Sequence, residues 1–66
     1  MVGERLRNLR KDRKLTQEEI SKLLGIAQTT YAGYENNRHI PDLDTLIKIA
    51  DLFKVSLDYL AGRYKH

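Results

Sequence analysis

The sequence predicts an all-α domain of five short helices, and three observations lead there. Apolar residues recur at helical spacing in successive segments. Capping residues stand at the segment starts. No stretch shows the period-two alternation of a strand. With 66 residues, one domain over residues 1–66 is expected. A chain of this size buries only roughly 60% of its unfolded surface, so its core has to be efficient.

The first helix is expected where Val2, Leu6, Leu9 and Arg13 fall at i, i+4, i+7 and i+11 on one stripe, with Leu15 closing the apolar side. Thr16-Gln17-Glu18-Glu19 then reads as a capping box. The threonine hydroxyl accepts from an early helical N–H, and the glutamate three residues on reaches back to the cap. The second helix, which starts there, is expected to bury Ile20, Leu23 and Leu24. Gly25 ends it by supplying a residue free to adopt positive φ.

Ile26-Ala27 restarts the chain, and Gln28 to Asn36 reads as a third helix with Tyr31 and Tyr34 on its inner side. Its propensity is poor, since two adjacent threonines and Gly33 each weaken it. A segment that is helical only by tertiary support, and rich in small polar side chains, points to a functional reason. Asn36-Asn37-Arg38-His39 is a turn cluster closed by Pro41. Asp42 is expected to cap a fourth helix that buries Leu43, Leu46, Ile47, Ala50 and Phe53, with Ile49 and Leu52 widening the stripe. Ser56 opens a short fifth helix through Leu57, Tyr59 and Leu60, which Gly62 ends ahead of the polar residues 63–66.

Composition narrows the function classes. There is no cysteine, and His39 and His66 are isolated, so neither a metal site nor a cofactor is expected. No apolar run approaches the roughly 20 residues that span a bilayer, and no signal-peptide core follows the start. A cytoplasmic chain with no membrane partner is expected. No serine–histidine–acid set or glycine-rich phosphate loop is present, and little volume is expected for a concave pocket. Neither an enzyme nor a small-molecule binder is therefore expected. Net charge is +3, with Arg5, Arg7, Arg10, Lys11, Arg13 and Lys14 crowded near the start. That cluster fits a solvated helix face and a basic surface facing a polyanion equally well.

The order of capped short helix, glycine turn and short polar helix is a helix-turn-helix arrangement over about residues 16–36. The tight turn lets the two helices cross steeply, with Ile20, Leu23, Tyr31 and Tyr34 expected between them. The second of the pair then projects its outer face. A helix is about as wide as the major groove of B-DNA, and residues near its start can reach base edges. Gln28, Thr29 and Thr30 are donor–acceptor side chains of the base-reading kind; the bland alternative is a solvated face.

Leu15-Thr16-Gln17-Glu18-Glu19-Ile20, Gly25-Ile26, Tyr34-Glu35-Asn36, Pro41, Leu46, Ile49-Ala50 and Val55-Ser56-Leu57-Asp58-Tyr59-Leu60 together resemble the XRE family, the Cro and phage-repressor type, over about residues 3–62. The resemblance implies a five-helix, lambda-repressor-like bundle. It further implies a transcriptional regulator, expected to be a repressor, that binds double-stranded DNA at a palindromic operator as a homodimer. By position it implies base reading by Gln28 and Thr29, and backbone contact by Gln17, Asn36, Asn37 and Arg38. For Gln17 and Asn37 a surface and a turn role stay open. Arg10 and Glu35 occupy the places of a structural ion pair. Leu57, Tyr59 and Tyr64 are candidates for a dimer surface, although Leu57 is as readily explained by packing on the fourth helix.

Two positions depart from the family pattern. Gly33 stands where a long polar reader is common, so reading is either concentrated at the start of the helix or helped by close backbone approach to DNA. Ala27 lacks the hydroxyl expected of an N-cap. The same fold also serves antitoxin-like and regulatory modules whose main partner is a protein, and that alternative stays open.

Overall fold

The computed structural model describes residues 2–62 as α1 (Val2–Asp12), α2 (Gln17–Leu24), α3 (Gln28–Glu35), α4 (Leu43–Phe53) and α5 (Leu57–Ala61). Among the described residues every regular element is a helix. Helix α3 packs against both α1 and α2, α4 against α2, and α5 against α1 and α4. Tyr31, Phe53, Leu6, Ile20, Ile49 and Leu60 are the largest side chains wholly withdrawn from water at the centre of this arrangement.

The caps explain where the helices begin and end. The Thr16 hydroxyl accepts from the Glu19 amide at 3.0 Å, and Glu19 Oε1 accepts from the Thr16 amide at 2.8 Å, so two otherwise orphaned donors are satisfied. Asp42 and Ser56 accept in the same way from the Thr45 and Tyr59 amides. Gly25 takes the left-handed conformation at φ 73°, and its amide donates to the carbonyls of Lys22 and Ser21. That closure turns the chain sharply enough for α3 to start three residues later. Lys54 ends α4 in the same left-handed region at φ 57°, without glycine's freedom.

Several expected burials are corrected. On α2 the inward row is Ile20, Ser21 and Leu24, while Leu23 is 60% exposed. Leu23 lies off that i, i+1, i+4 row, and the small Ser21 takes the inward place, its hydroxyl donating to the Glu18 carbonyl at 2.8 Å. On α4 the inward row is Leu46, Ile49, Ala50 and Phe53, spaced i, i+3, i+4 and i+7. Leu43 (62% exposed), Ile47 and Leu52 flank it in the open, because seven apolar residues span a wider arc than one small core covers. Helix α3 stops at Glu35, and Asn36 serves as its C-cap instead of a last helical residue.

Arg13 is a further departure. Its guanidinium stands 4.9 Å above the Phe53 ring and donates to the Phe53 carbonyl at 2.7 Å, at the negative end of α4.

Candidate nucleic-acid interface

Helix α3 has two unlike faces. Tyr31, Tyr34 and Glu35 point inward, with the two rings edge-to-face at 6.2 Å between centroids. Gln28 and Thr29 are exposed at its start, and Thr30 is half-buried. Ala27 precedes them in extended conformation and makes no side-chain cap bond, so the first amides of α3 have no side-chain acceptor. Two threonines and a glycine give this helix little stability of its own. Its placement comes from the contacts that grip the inner face.

Glu35 is the grip. Its side chain is 1% exposed, and side chains from two other helices converge on it. From α1, Arg10 Nε reaches Oε2 at 2.6 Å and Arg10 Nη2 reaches Oε1 at 3.1 Å, a bidentate pair. From α2, Gln17 Nε2 donates to Oε1 at 3.1 Å. Arg7 approaches the same oxygen at 3.6 Å. Arg10 spends a further N–H on the Leu15 carbonyl at 2.8 Å, which ties in the α1–α2 turn. Burial disfavours the Glu35 charge, but the bonds from Arg10 and the polar groups of Tyr31 and Gln17 outweigh it, leaving the carboxyl below the ordinary glutamate range. The Tyr31 hydroxyl is buried beside this pair with no hydrogen-bond partner of good geometry among the described residues. Burial first, then the Glu35 charge, keeps it protonated.

The turn after α3 is built with equal economy. The Arg38 amide donates to the Gly33 carbonyl at 2.8 Å and to Asn36 Oδ1 at 3.3 Å. Asn37 adopts φ 63°, a conformation asparagine tolerates better than most residues. Its Oδ1 accepts from the Gly3 amide at 3.2 Å, so it closes the start of α1. A Cβ at Gly3 would collide with the backbone of Tyr34 and Glu35, which is why the second residue of α1 is a glycine against the end of α3. Asn37 and Gly3 carried no sequence motif that announced this contact. The Arg38 side chain is exposed.

The basic cluster divides. Arg10 is committed to Glu35 and the exposed Arg13 to the end of α4, and Arg5 lies 5.0 Å above the Tyr59 ring. Lys11 and Lys14 stay exposed. The cluster is therefore neither wholly a solvated face nor a continuous basic surface. Of the two readings left open at Gly33, close backbone approach to DNA is the one its surroundings disfavour. The glycine lies one turn after Thr29 yet is buried, because the His39 ring covers it, so its backbone is not open to a ligand.

Leu57 is 38% exposed, and Leu43, Ile47 and Ile40 are exposed to a greater degree, whereas Tyr59 is half-buried under Arg5. Tyr64 lies outside the described residues. A cavity of about 410 Å³ opens between the start of α1, the α3–α4 loop and the end of α5, more room than expected, with Val2, Arg5, Ile40 and Pro41 in its wall. Among the described residues no three metal-ligating side chains gather, and no helix is long and apolar enough to cross a membrane.

A helix-turn-helix family model matches residues 6–60. The chain belongs to this family, in its XRE-type branch. This helix-turn-helix chain is 47% identical over 62 residues to YobD, an uncharacterized HTH-type transcriptional regulator of Bacillus subtilis, covering 94% of this chain and 55% of that protein. It is 40% identical to the cryptic phage CTXphi transcriptional repressor RstR of Vibrio cholerae, over 96% of this chain and 56% of the other. The chain thus spans about half the length of the curated relatives it matches. Among solved structures, the P22 c2 repressor in complex with a synthetic operator superposes with a TM-score of 0.90 at 26% identity, covering 97% of both chains. A transcriptional regulator from Listeria innocua gives a TM-score of 0.91 at 32% identity, over 100% of this chain and 62% of that one. The helix-turn-helix and its five-helix bundle are those of phage-repressor domains.

Proposed function

We propose that this helix-turn-helix domain is a sequence-specific binder of double-stranded DNA and acts as a transcriptional regulator of the repressor kind. The observation that carries the proposal is the two-faced α3. Its inner side is locked by the Glu35 contacts to α1 and α2, and its outer side offers the Gln28 and Thr29 side chains, exposed and without a hydrogen-bond partner among the described residues. A rigidly held polar helix start of that width fits the major groove. The P22 c2 repressor, which shares the fold, is bound to an operator in its own structure.

In this reading Gln28, Thr29 and Thr30 face base edges. Arg38 and Asn36 flank them at the backbone, where arginine suits bidentate phosphate contact. Gln17 adds a backbone contact from the start of α2 while its amide nitrogen also braces Glu35. Asn37 contributes by holding the loop on α1. In this reading the domain acts by binding and not by catalysis, in the cytoplasm.

One such domain covers few base pairs, so two copies on half-sites about 34 Å apart supply useful affinity. The exposed Leu57, an apolar side chain left in the open on α5, marks the surface offered for the pairing. An antitoxin-like role would use this same apolar surface to hold a different protein. Selection of bound sites from random duplex tests the choice. The expected product is a two-fold symmetric pair of half-sites, bound far above a salt-dependent background. No preferred site at any salt concentration would overturn the proposal.

A further inference from the structure

Gly33 sits inside α3 without the usual reason for a glycine. Its backbone is helical and it is absent from the left-handed positions of the chain. It follows Thr29 by four residues, on the side turned away from Tyr31 and Tyr34, where a helix of this kind presents its reading side chains. Yet Gly33 is buried. A Cβ there would collide with His39 Cδ2, and it would lie 3.1 Å from Nε2 and 3.2 Å from Cγ of the same ring. The amides of Arg38 and His39 both donate to the Gly33 carbonyl, at 2.8 and 3.2 Å, and so fold the loop back over the C-terminal end of the helix, which brings the His39 ring against Gly33. The glycine is there to admit the ring.

We infer that His39 is a base-reading residue: its imidazole occupies the space a side chain at position 33 would fill on the outer face of α3 and donates to an acceptor on a base edge in the major groove. The inference rests on the DNA-reading function proposed above. The Cγ–Cδ2–Nε2 edge of the ring lies nearest Gly33, which turns the Nδ1-bearing edge away from the helix, while the residue as a whole remains exposed. An imidazole carries one N–H when neutral and two when charged, and guanine offers two neighbouring acceptors, N7 and O6. A guanine preference at one position of each half-site is the consequence. The helix that lacks a long side chain at 33 recovers its reach from a residue six positions on.

The test compares the wild-type chain with His39→Ala and Gly33→Ala on the selected operator and on single base-pair variants of it, with a thermal melt of each protein. His39→Ala is expected to melt near the wild type and to lose roughly fivefold or more of its discrimination at one guanine per half-site, the lower range of what one base contact supplies. Gly33→Ala, which displaces the ring, is expected to lose preference at the same base pair. Adding it to His39→Ala should change that preference no further. Unchanged discrimination in a folded His39→Ala protein overturns the inference, and so does an equal loss on every sequence, which marks a phosphate contact. If the wild type itself selects no site, the DNA-reading function falls and takes this inference with it. A wild type that selects a site His39→Ala reads identically removes the histidine alone.

Discussion

A carboxylate withdrawn from water stays ionised only while enough donors surround it, and Glu35 has them. Arg10, Gln17 and Arg7 each meet it from a different point of α1 or α2, so its charge fixes the orientation of α3. Glu35→Ala removes the buried partner of the partly buried Arg10 guanidinium and is expected to cost about 3–5 kcal/mol in a denaturant titration. A loss below about 1 kcal/mol would show the pair to be incidental. The pH dependence has a definite sign. Because the folded carboxyl titrates below the ordinary 4.5 of glutamate, its contribution is complete above that value and is lost as pH falls through the folded pKa. Glu35→Gln should therefore show a shallower loss of stability in acid than the wild type, though it starts lower. Gly3 is a constraint of another sort, since the backbone of α3 occupies the place of its Cβ. Gly3→Ala is expected to destabilise by about 1–3 kcal/mol through forced backbone movement, read from the same titration.

At the scale of elements, the caps and turns decide how well each helix stands. Ala27→Ser restores a side-chain acceptor to the start of α3 and should stabilise the free protein by about 0.5–2 kcal/mol; an unchanged melting midpoint would show that the α3 amides are already satisfied. These same elements show how much was legible from sequence. The capping box at Thr16, Gly25 and the Asp42 and Ser56 caps are local chemistry, and local chemistry is written in consecutive residues. Leu23 and Leu43 fall outside the core expected for them because periodicity says which residues share a face but not how wide an arc the rest of the chain can cover. The contacts of Asn37 with Gly3 and of His39 with Gly33 were not legible at all as pairs. Their only trace was a glycine inside a helix with no turn to make. Such a glycine marks a close approach without naming the group that approaches.

For the whole molecule, the division of labour is between a core that holds α3 and a surface that uses it. Much of the positive charge near the start of the chain is spent on holding: Arg10 on Glu35, Arg13 on the end of α4, Arg5 over Tyr59. Under the proposed function, net charge is therefore expected to contribute little to DNA recognition, and the exposed Arg38 and the polar start of α3 to contribute more. The exposed Leu43 and Leu57 belong to this scale too. Leu57→Lys is expected to leave binding to a single half-site intact while abolishing the gain from the second, measured by titrating half-site and full-site duplexes. An unchanged full-site titration would move the pairing surface elsewhere. The central claim is that the outer start of α3 reads sequence, and a comparison of Gln28→Ala with Arg38→Ala on selected and random duplex tests it most directly. The account predicts that Gln28→Ala loses about 1–3 kcal/mol on the selected site and almost nothing on random duplex, whereas Arg38→Ala weakens both alike and lowers the salt slope by about 1. An equal loss on both duplexes for Gln28→Ala would contradict it.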